Sequence, residues 1–170
     1  MWYSKKFKHN NKEYNWLYCD TYDLLKWVKE YSKYEKSLMK LMTDQRDRDF
    51  KIIDFVIEDY EQINRGKRNY YFFIFNDKEL IAISRITIDN KHGSISAVHT
   101  NTKFRNQGFC KKILNKLMKE SKSKHKIRTF QIGVDTNNIP AIKCYTNVGF
   151  KIKKSIKDKF GAYHDMYMSL

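Results

Sequence analysis

The chain has 170 residues, of which 41% are hydrophobic, and it carries a formal net charge of +15. This length suits a single domain with its own core, and the composition excludes a disordered chain. Met1 to Lys12 lack the apolar core of a signal peptide, and no apolar run is long enough to span a membrane. We therefore expect a soluble cytoplasmic protein with no membrane partner.

The excess of basic residues, 34 Lys and Arg against 19 Asp and Glu, has two interpretations. A basic surface attracts nucleic acid or a smaller polyanion. The chain is also rich in Lys, Asn, Ile, Tyr and Phe, which is the composition that an AT-rich genome imposes. The lysines are spread along the chain and form no dense block, so we do not expect nucleic acid as a partner.

The cysteines Cys19, Cys110 and Cys144 form no CxxC pair and no cluster with histidine. This pattern predicts neither a disulfide framework nor a metal site. We expect three reduced thiols.

The N-terminal part of the chain is predicted to be mostly helical. A short strand is predicted at Trp16 to Cys19, after which Thr21 can cap a helix whose apolar residues recur at helical spacing to Met42. A second helix is predicted from Asp49 to Ile63, and the glycine at Gly66 ends it.

An acidic segment stands out within this basic chain. Between positions 44 and 61 there are only three basic residues but seven acidic ones, which are Asp44, Asp47, Asp49, Asp54, Glu58, Asp59 and Glu61. Such a local reversal of charge favours a cationic amine as substrate. The alternative is a solvated helix face with acids near its N-terminal turn.

From Tyr70 onwards the apolar period changes to that of strands. Strands are predicted at Tyr71 to Phe75 and Leu80 to Ile88, joined by a hairpin turn, and at Gly93 to Thr100. The later predicted elements are a helix from Phe109, a strand at Thr129 to Val134, a helix at Asn138 to Val148, and strands at Phe150 to Ile156 and Ala162 to Ser169.

The stretch from Val98 to Leu114 reads as strand, tight loop and helix. A loop in this position directs free backbone N–H groups and the positive end of a helix dipole at one spot, which suits a phosphate. Gly108 permits a close approach of the backbone, and Arg105 and Lys111 add positive charge. A glycine here is also compatible with a plain strand-to-helix connection.

The segments Arg105 to Cys110 and Asn138 to Phe150 carry two motifs that resemble those of the GNAT superfamily of N-acetyltransferases. Arg105-x-x-Gly108-x-Cys110 is similar to the loop that holds the pyrophosphate of acetyl-coenzyme A (acetyl-CoA) in that family, although Cys110 stands where the family usually has Gly or Ala. The segment Asn138-x-x-Ala141-x-x-x-Tyr145-x-x-x-Gly149-Phe150 is similar to a second signature, at about the usual distance.

The resemblance implies an α+β fold with a mixed, mostly antiparallel, twisted sheet whose splayed central strands are flanked by helices. It implies one domain over residues 1–170, with a helical portion at 1–65 and a cofactor-binding core at 66–170. The cofactor-binding residues that it implies are Val98, His99, Thr100, Arg105, Asn106, Gln107, Gly108, Phe109, Cys110, Lys111, Asn138 and Tyr145.

The resemblance also implies the chemistry, which is acetyl transfer to a primary amine by direct attack in a ternary complex. Tyr145 matches the tyrosine that donates a proton to the departing thiolate, although it also suits core packing. No carboxylate lies in the strand before the loop, so His99 is the nearest possible base. His92, Asp135 and a base acting through water are the alternatives.

Several acceptors and two states of assembly are compatible with the sequence. An amino sugar, a polyamine, a protein or peptide amine and an antibiotic-like amine all fit the chemistry. A catalytically weak acetyl-CoA sensor of the same fold is the competing interpretation, because of the missing strand carboxylate. The chain is expected to be a monomer or a homodimer.

Overall fold

A computed structural model describes residues 3–30, 67–159 and 161–169. The strands are β1 (Tyr3–His9), β2 (Lys12–Asp20), β3 (Arg68–Phe75), β4 (Leu80–Asp89), β5 (His92–Thr100), β6 (Thr129–Asp135), β7 (Lys151–Asp158) and β8 (Gly161–Ser169). The helices are α1 (Thr21–Glu30), α2 (Phe109–His125) and α3 (Ile139–Val148), and a short 3₁₀ turn spans Thr102–Phe104. The continuation of the first predicted helix to Met42, the second predicted helix and the acidic residues between 44 and 61 lie outside these described residues.

All eight strands form one sheet in the order β1-β2-β3-β4-β5-β6-β8-β7. Every neighbouring pair is antiparallel except β5 and β6, which run parallel because α2 connects them. The sheet is open, mixed and flanked by helices, so the predicted α+β class is confirmed. The predicted strands and helices after residue 70 are confirmed too, with shifts of a few residues at their ends.

Residues 3–20 differ from the prediction. They form a β-hairpin, and its turn residues Asn10 and Asn11 have φ angles of 48° and 59°, a conformation that asparagine tolerates. The sequence predicted only the strand at Trp16 to Cys19, and it predicted a helical N-terminal portion. β1 escaped prediction because it lies at the edge of the sheet, where exposed lysines such as Lys6 and Lys8 interrupt the apolar pattern.

Both faces of the sheet are buried in its middle strands. Phe72 and Ile86 share one apolar cluster with Phe109 of α2, so this face lies under α2. Leu17 and Ile83 are fully buried as well, on the opposite face, where α1 packs against β2 and β3. Because both faces are covered, β3 and β4 read as nearly continuous apolar runs.

β5 and β6 separate part-way along their length. Their ladder runs only from His92, paired with Thr129, to Ile95, paired with Ile132. Beyond that point β5 contains a bulge opposite β4, and Ala97 adopts a φ angle of 50° within it. The predicted splay of the central strands is therefore confirmed.

Two cysteines that were predicted to be free thiols are joined. Cys110 in the first turn of α2 forms a disulfide with Cys144 of α3, with their Cα atoms 6.5 Å apart. The prediction of three reduced thiols is wrong for this pair, because the packing of α2 against α3 brings together residues 34 positions apart. Cys19 is free and buried, and burial raises the pKa of its thiol.

Within the described residues, no helix has both the length and the apolar character that crossing a membrane requires.

Candidate functional site

The site begins where β5 ends. Asn101 caps the 3₁₀ turn, with its side-chain oxygen accepting from the backbone N–H of Lys103 at 3.2 Å. Asn106 and Gly108 then adopt left-handed φ angles of 61° and 81°, and Gly108 directly precedes α2. Left-handed residues within such a loop turn successive N–H groups towards the same side and form an anion-binding concavity.

The backbone N–H groups of this loop are free to bind a ligand. The first backbone bond of α2 runs from the N–H of Lys112 to the carbonyl of Gly108, at 3.0 Å. No carbonyl of the described residues accepts from the N–H groups of positions 106–111. These amides and the positive end of the α2 dipole suit an anion such as a phosphate.

Three side chains hold the loop in shape. The Nε of Arg105 donates to the carbonyl of Thr100 at 3.2 Å, and the side-chain amide of Gln107 donates to the carbonyl of Lys103 at 3.1 Å. The third is His9 of β1, whose Nε2 lies 2.6 Å from the carbonyl oxygen of Gln107. The sequence analysis missed His9, since no motif connects positions 98 residues apart.

Positive charge surrounds the loop unevenly. Lys103 forms an ion pair with Glu79 at 3.4 Å, whereas the exposed Arg105 and Lys111 have no ion pair within the described residues. The uncommitted positive charge therefore lies on the two residues that the sequence predicted for this purpose, Arg105 and Lys111.

The last residues of β5 pair with a strand on one side only. β4 pairs with Thr100 and His99, but β6 no longer pairs with them. Val98 packs against the apolar cluster beneath α2. His99 is 7% exposed and is in register with Ile83, so its side chain lies on the opposite face of the sheet.

Tyr145 sits on α3, whose ends are well defined. Asn138 caps the helix by accepting from the N–H of Ala141 at 3.3 Å, and Gly149 ends it with a φ angle of 117°. The Tyr145 ring is 6% exposed and joins the same apolar cluster as Phe109. Burial raises the pKa of Tyr145 to about 12, so its phenol keeps its proton at physiological pH.

The disulfide brings these parts together. Cys144 precedes Tyr145 in α3, and Cys110 lies two residues after Gly108. The covalent bond therefore ties the start of α2 to the helix that carries the buried phenol. Phe109 at the start of α2 and Tyr145 of α3 belong to one apolar cluster, and Val98 of β5 packs against it.

The other candidate bases are placed differently. Both ring nitrogens of His92 are engaged, Nδ1 with the Thr129 hydroxyl at 2.8 Å and Nε2 with the Gln131 side chain at 3.2 Å. Asp135 is exposed at the end of β6 and accepts from the N–H of Asn137 at 2.7 Å. No group of His, Cys, Asp or Glu in the described ranges could hold a metal ion.

A profile of the Acetyltransferase (GNAT) family matches residues 15–150, which is most of the chain. The chain belongs to the GNAT acetyltransferase family. It is an N-acetyltransferase, and its acyl donor is acetyl-CoA. No curated protein matches it in sequence.

Solved structures share the fold of this GNAT enzyme at low sequence identity. RimL, an α-N-acetyltransferase of a ribosomal protein solved with coenzyme A, has a TM-score of 0.69 at 14% identity, with 98% of each chain covered. A spermidine N-acetyltransferase SpeG variant from Vibrio cholerae has a TM-score of 0.64 at 13% identity, covering 79% of this chain and 89% of its own. The microcin self-immunity acetyltransferase MccE, solved with acetyl-CoA and AMP, has a TM-score of 0.64 at 17% identity, covering 81% and 88%.

Proposed function

We propose that this GNAT enzyme acetylates a primary amine, either an amino sugar, a polyamine or a protein or peptide amine, by direct attack in a ternary complex. One observation carries the proposal: a loop of unaccepted backbone N–H groups lies beside two strands that have separated. This arrangement offers a place for the phosphates of acetyl-CoA and a place for its arm. Spermidine and ribosomal-protein acetyltransferases are among the proteins of similar fold.

The residues of the loop fit the pyrophosphate. The N–H groups of 106–111 supply donors, and Arg105 and Lys111 supply positive charge. The edge of β5 from Val98 to Thr100, with which β6 does not pair, suits an extended, amide-containing arm that would add as a further strand. Asn138 lies at the start of α3, where it caps the helix and contacts the arm in our assignment. When bound, acetyl-CoA supplies an acetyl group activated as a thioester.

Tyr145 is assigned as the general acid. Its phenol is buried and protonated, so the Oη atom holds a proton that can pass to the departing sulfur. The disulfide between Cys110 and Cys144 limits how far α3 can move from the loop, which keeps the phenol near the cofactor. Neither cysteine acts as a nucleophile in this assignment, because direct transfer needs no acyl-enzyme.

His99 is assigned as the base that takes a proton from the attacking amine. It lies on the face of the sheet opposite α2, so cofactor and acceptor would approach the splay from different sides.

A shallow cavity of about 290 Å³ opens at the end of β6, and Gly133, Asp135 and Tyr163 contribute to its walls. A base acting through water remains the alternative at this position.

The first test is a calorimetric titration with acetyl-CoA, followed by thiol-release assays on spermidine, an amino sugar and a peptide with a free N-terminus. Binding with release on one amine class supports the proposal, and the absence of binding contradicts it. Preference for spermidine, lost when Asp47, Asp54 and Glu58 are neutralised, would assign the acidic segment to the acceptor. Equal turnover of spermidine and the amino sugar would contradict that assignment.

The loop assignment has its own matched pair of variants. Gly108→Asp adds a negative charge next to the amides of 106–111 and strains a residue whose φ angle is 81°, so it should abolish acetyl-CoA binding. Gly161→Asp is the control, since Gly161 also has a positive φ angle, of 134°, but is the first residue of β8. Equal affinity of the Gly108→Asp protein and the unmodified protein would contradict the loop assignment.

The sensor interpretation has one observation in its favour. β5 carries no carboxylate, and both ring nitrogens of His92 are already engaged. A sensor would bind acetyl-CoA without releasing thiol on any amine of the panel. That outcome would replace the enzymatic proposal.

A further inference from the structure

We propose that the hairpin of β1 and β2 is part of the coenzyme A site, with His9 as a positioning residue that orients the Gln107–Gly108 peptide for the pyrophosphate. The sequence places the whole cofactor site within residues 66–170, so this inference adds a segment from the opposite end of the chain. It rests on the proposed assignment of the loop at 105–111.

The direction of the hydrogen bond follows from its partners. The Nε2 atom of His9 lies 2.6 Å from the carbonyl oxygen of Gln107, and a carbonyl only accepts. His9 therefore carries a proton on Nε2 and donates it to the loop. The bond joins the last residue of β1 to the residue before Gly108.

Packing holds the imidazole in this position. The His9 ring meets the ring of Phe109 in an edge-on contact, with 4.7 Å between the ring centroids. Tyr14 of β2 meets the same Phe109 ring at 5.1 Å, and Phe109 itself is 1% exposed. A ring fixed by aromatic neighbours loses little further freedom when it donates a hydrogen bond.

The geometry of the peptide unit links this hydrogen bond to the direction of the Gly108 N–H group. In a planar trans peptide, the carbonyl of Gln107 and the N–H of Gly108 point in opposite directions. Because His9 holds the carbonyl on the hairpin side, the N–H of Gly108 points away from the hairpin. It belongs to the series of amides at 106–111 that no carbonyl of the described residues accepts.

Glycine makes such a hold necessary. A glycine peptide can rotate at little cost, since no Cβ restricts its φ and ψ angles. A Cβ at Gly108 would lie 3.7 Å from the Cε1 of His9, so the ring covers the side of the glycine that lacks a side chain. His9 therefore selects one orientation of a peptide that would otherwise have several.

Two variants separate the hydrogen bond from the packing. His9→Phe keeps a ring against Phe109 and removes the donor, whereas His9→Gln keeps a donor at a similar reach and removes the ring. We expect His9→Phe to weaken coenzyme A binding in calorimetry by roughly 3- to 10-fold, the usual range for one neutral hydrogen bond. His9→Gln should recover most of that loss, and His164→Phe, at a histidine on β8, should have no effect.

Further readouts identify the phosphates as the point of action. The loss in His9→Phe should be the same for coenzyme A and for dephospho-coenzyme A, because both carry the pyrophosphate. With an active amine acceptor, the KM for acetyl-CoA should rise while kcat stays within about 2-fold, as expected for lost uniform binding.

The outcomes separate this inference from the loop assignment. Unchanged affinity in His9→Phe, with binding abolished in Gly108→Asp, would overturn the role of His9 and leave the loop in place. Unchanged affinity in both would overturn the loop assignment and this inference together. A loss in His9→Phe that vanishes with dephospho-coenzyme A would move His9 to the 3′-phosphate and would also overturn the inference.

Discussion

Cys144, which is bonded to Cys110, is the residue immediately before Tyr145. The proposed general acid thus lies next to a covalent link to the proposed cofactor loop. The side chain that replaces the usual Gly or Ala of the family motif is therefore the one that makes this link. The effects of this disulfide can be measured in several independent ways.

Removing the disulfide should lower stability. In the chain-entropy description, closing a loop of 34 residues is worth about 3–4 kcal/mol, and in a domain of this size that corresponds to roughly 10 °C in Tm. We expect this loss in the double variant Cys110→Ala/Cys144→Ala, measured by thermal unfolding without reductant.

Thiol counting checks the same bond. Without reductant, mass spectrometry after iodoacetamide should show no labelled cysteine in the native protein and only Cys19 in the denatured protein, because Cys19 is buried with a raised thiol pKa. Three labelled cysteines in the denatured, unreduced protein would show that the bond is absent in solution.

Tyr145→Phe should lower kcat and leave the affinity for acetyl-CoA nearly unchanged. The variant removes the proton donor and keeps the ring that packs in the apolar cluster, and general acid catalysis contributes ~10²- to 10⁴-fold. Initial rates with a saturating amine and calorimetry with acetyl-CoA measure the two effects. Tyr22→Phe, at an exposed tyrosine of α1, is the control, and an unchanged rate in Tyr145→Phe would reduce Tyr145 to a packing role.

Tyr145 also predicts how stability depends on alkaline pH. Its pKa is about 12 in the folded protein and about 10 in the unfolded chain, so its contribution is complete below pH 10 and is lost as pH rises towards 12. Between pH 9 and pH 11, the unmodified protein should lose about 1–1.5 kcal/mol more unfolding free energy than Tyr145→Phe. Denaturant titrations at the two pH values measure this difference, and parallel pH dependence of the two proteins would contradict the buried phenol.

His99→Gln should reduce kcat and leave a slow residual reaction. A missing base costs ~10²- to 10⁴-fold, while positioning of the two substrates continues to accelerate transfer. The measurement is kcat as a function of pH, with calorimetry confirming intact acetyl-CoA binding. His92→Gln is the matched variant, and a large loss in it with full activity in His99→Gln would transfer the role of base to His92.

The sequence predicted most of the sheet and the loop because their signals are local. Alternation marks β5, helical spacing marks α2, and a glycine at a strand-to-helix turn marks the site. β1 lacked such a signal, since an edge strand rich in lysine alternates only weakly.

The missed features of the site are all long-range. The pairing of Cys110 with Cys144 depends on how two helices pack, and the bond from His9 to Gln107 depends on a hairpin docking against a distant loop. Neither relationship leaves a spacing pattern in the chain. By contrast, Asn138 was predicted from a local preference, and its capping bond to Ala141 is confirmed.

The disulfide also has a mechanical consequence. The sheet has two parts, β1 to β5 and β6 to β8, which are joined by four residue pairs from His92 to Ile95. In the chain, α2 follows the first part and α3 follows the second. The bond between Cys110 and Cys144 therefore links the two parts on one side of the sheet. The bond therefore restrains separation of the two parts on the side of the sheet where α2 packs, and it places no such restraint on the opposite face, which bears His99.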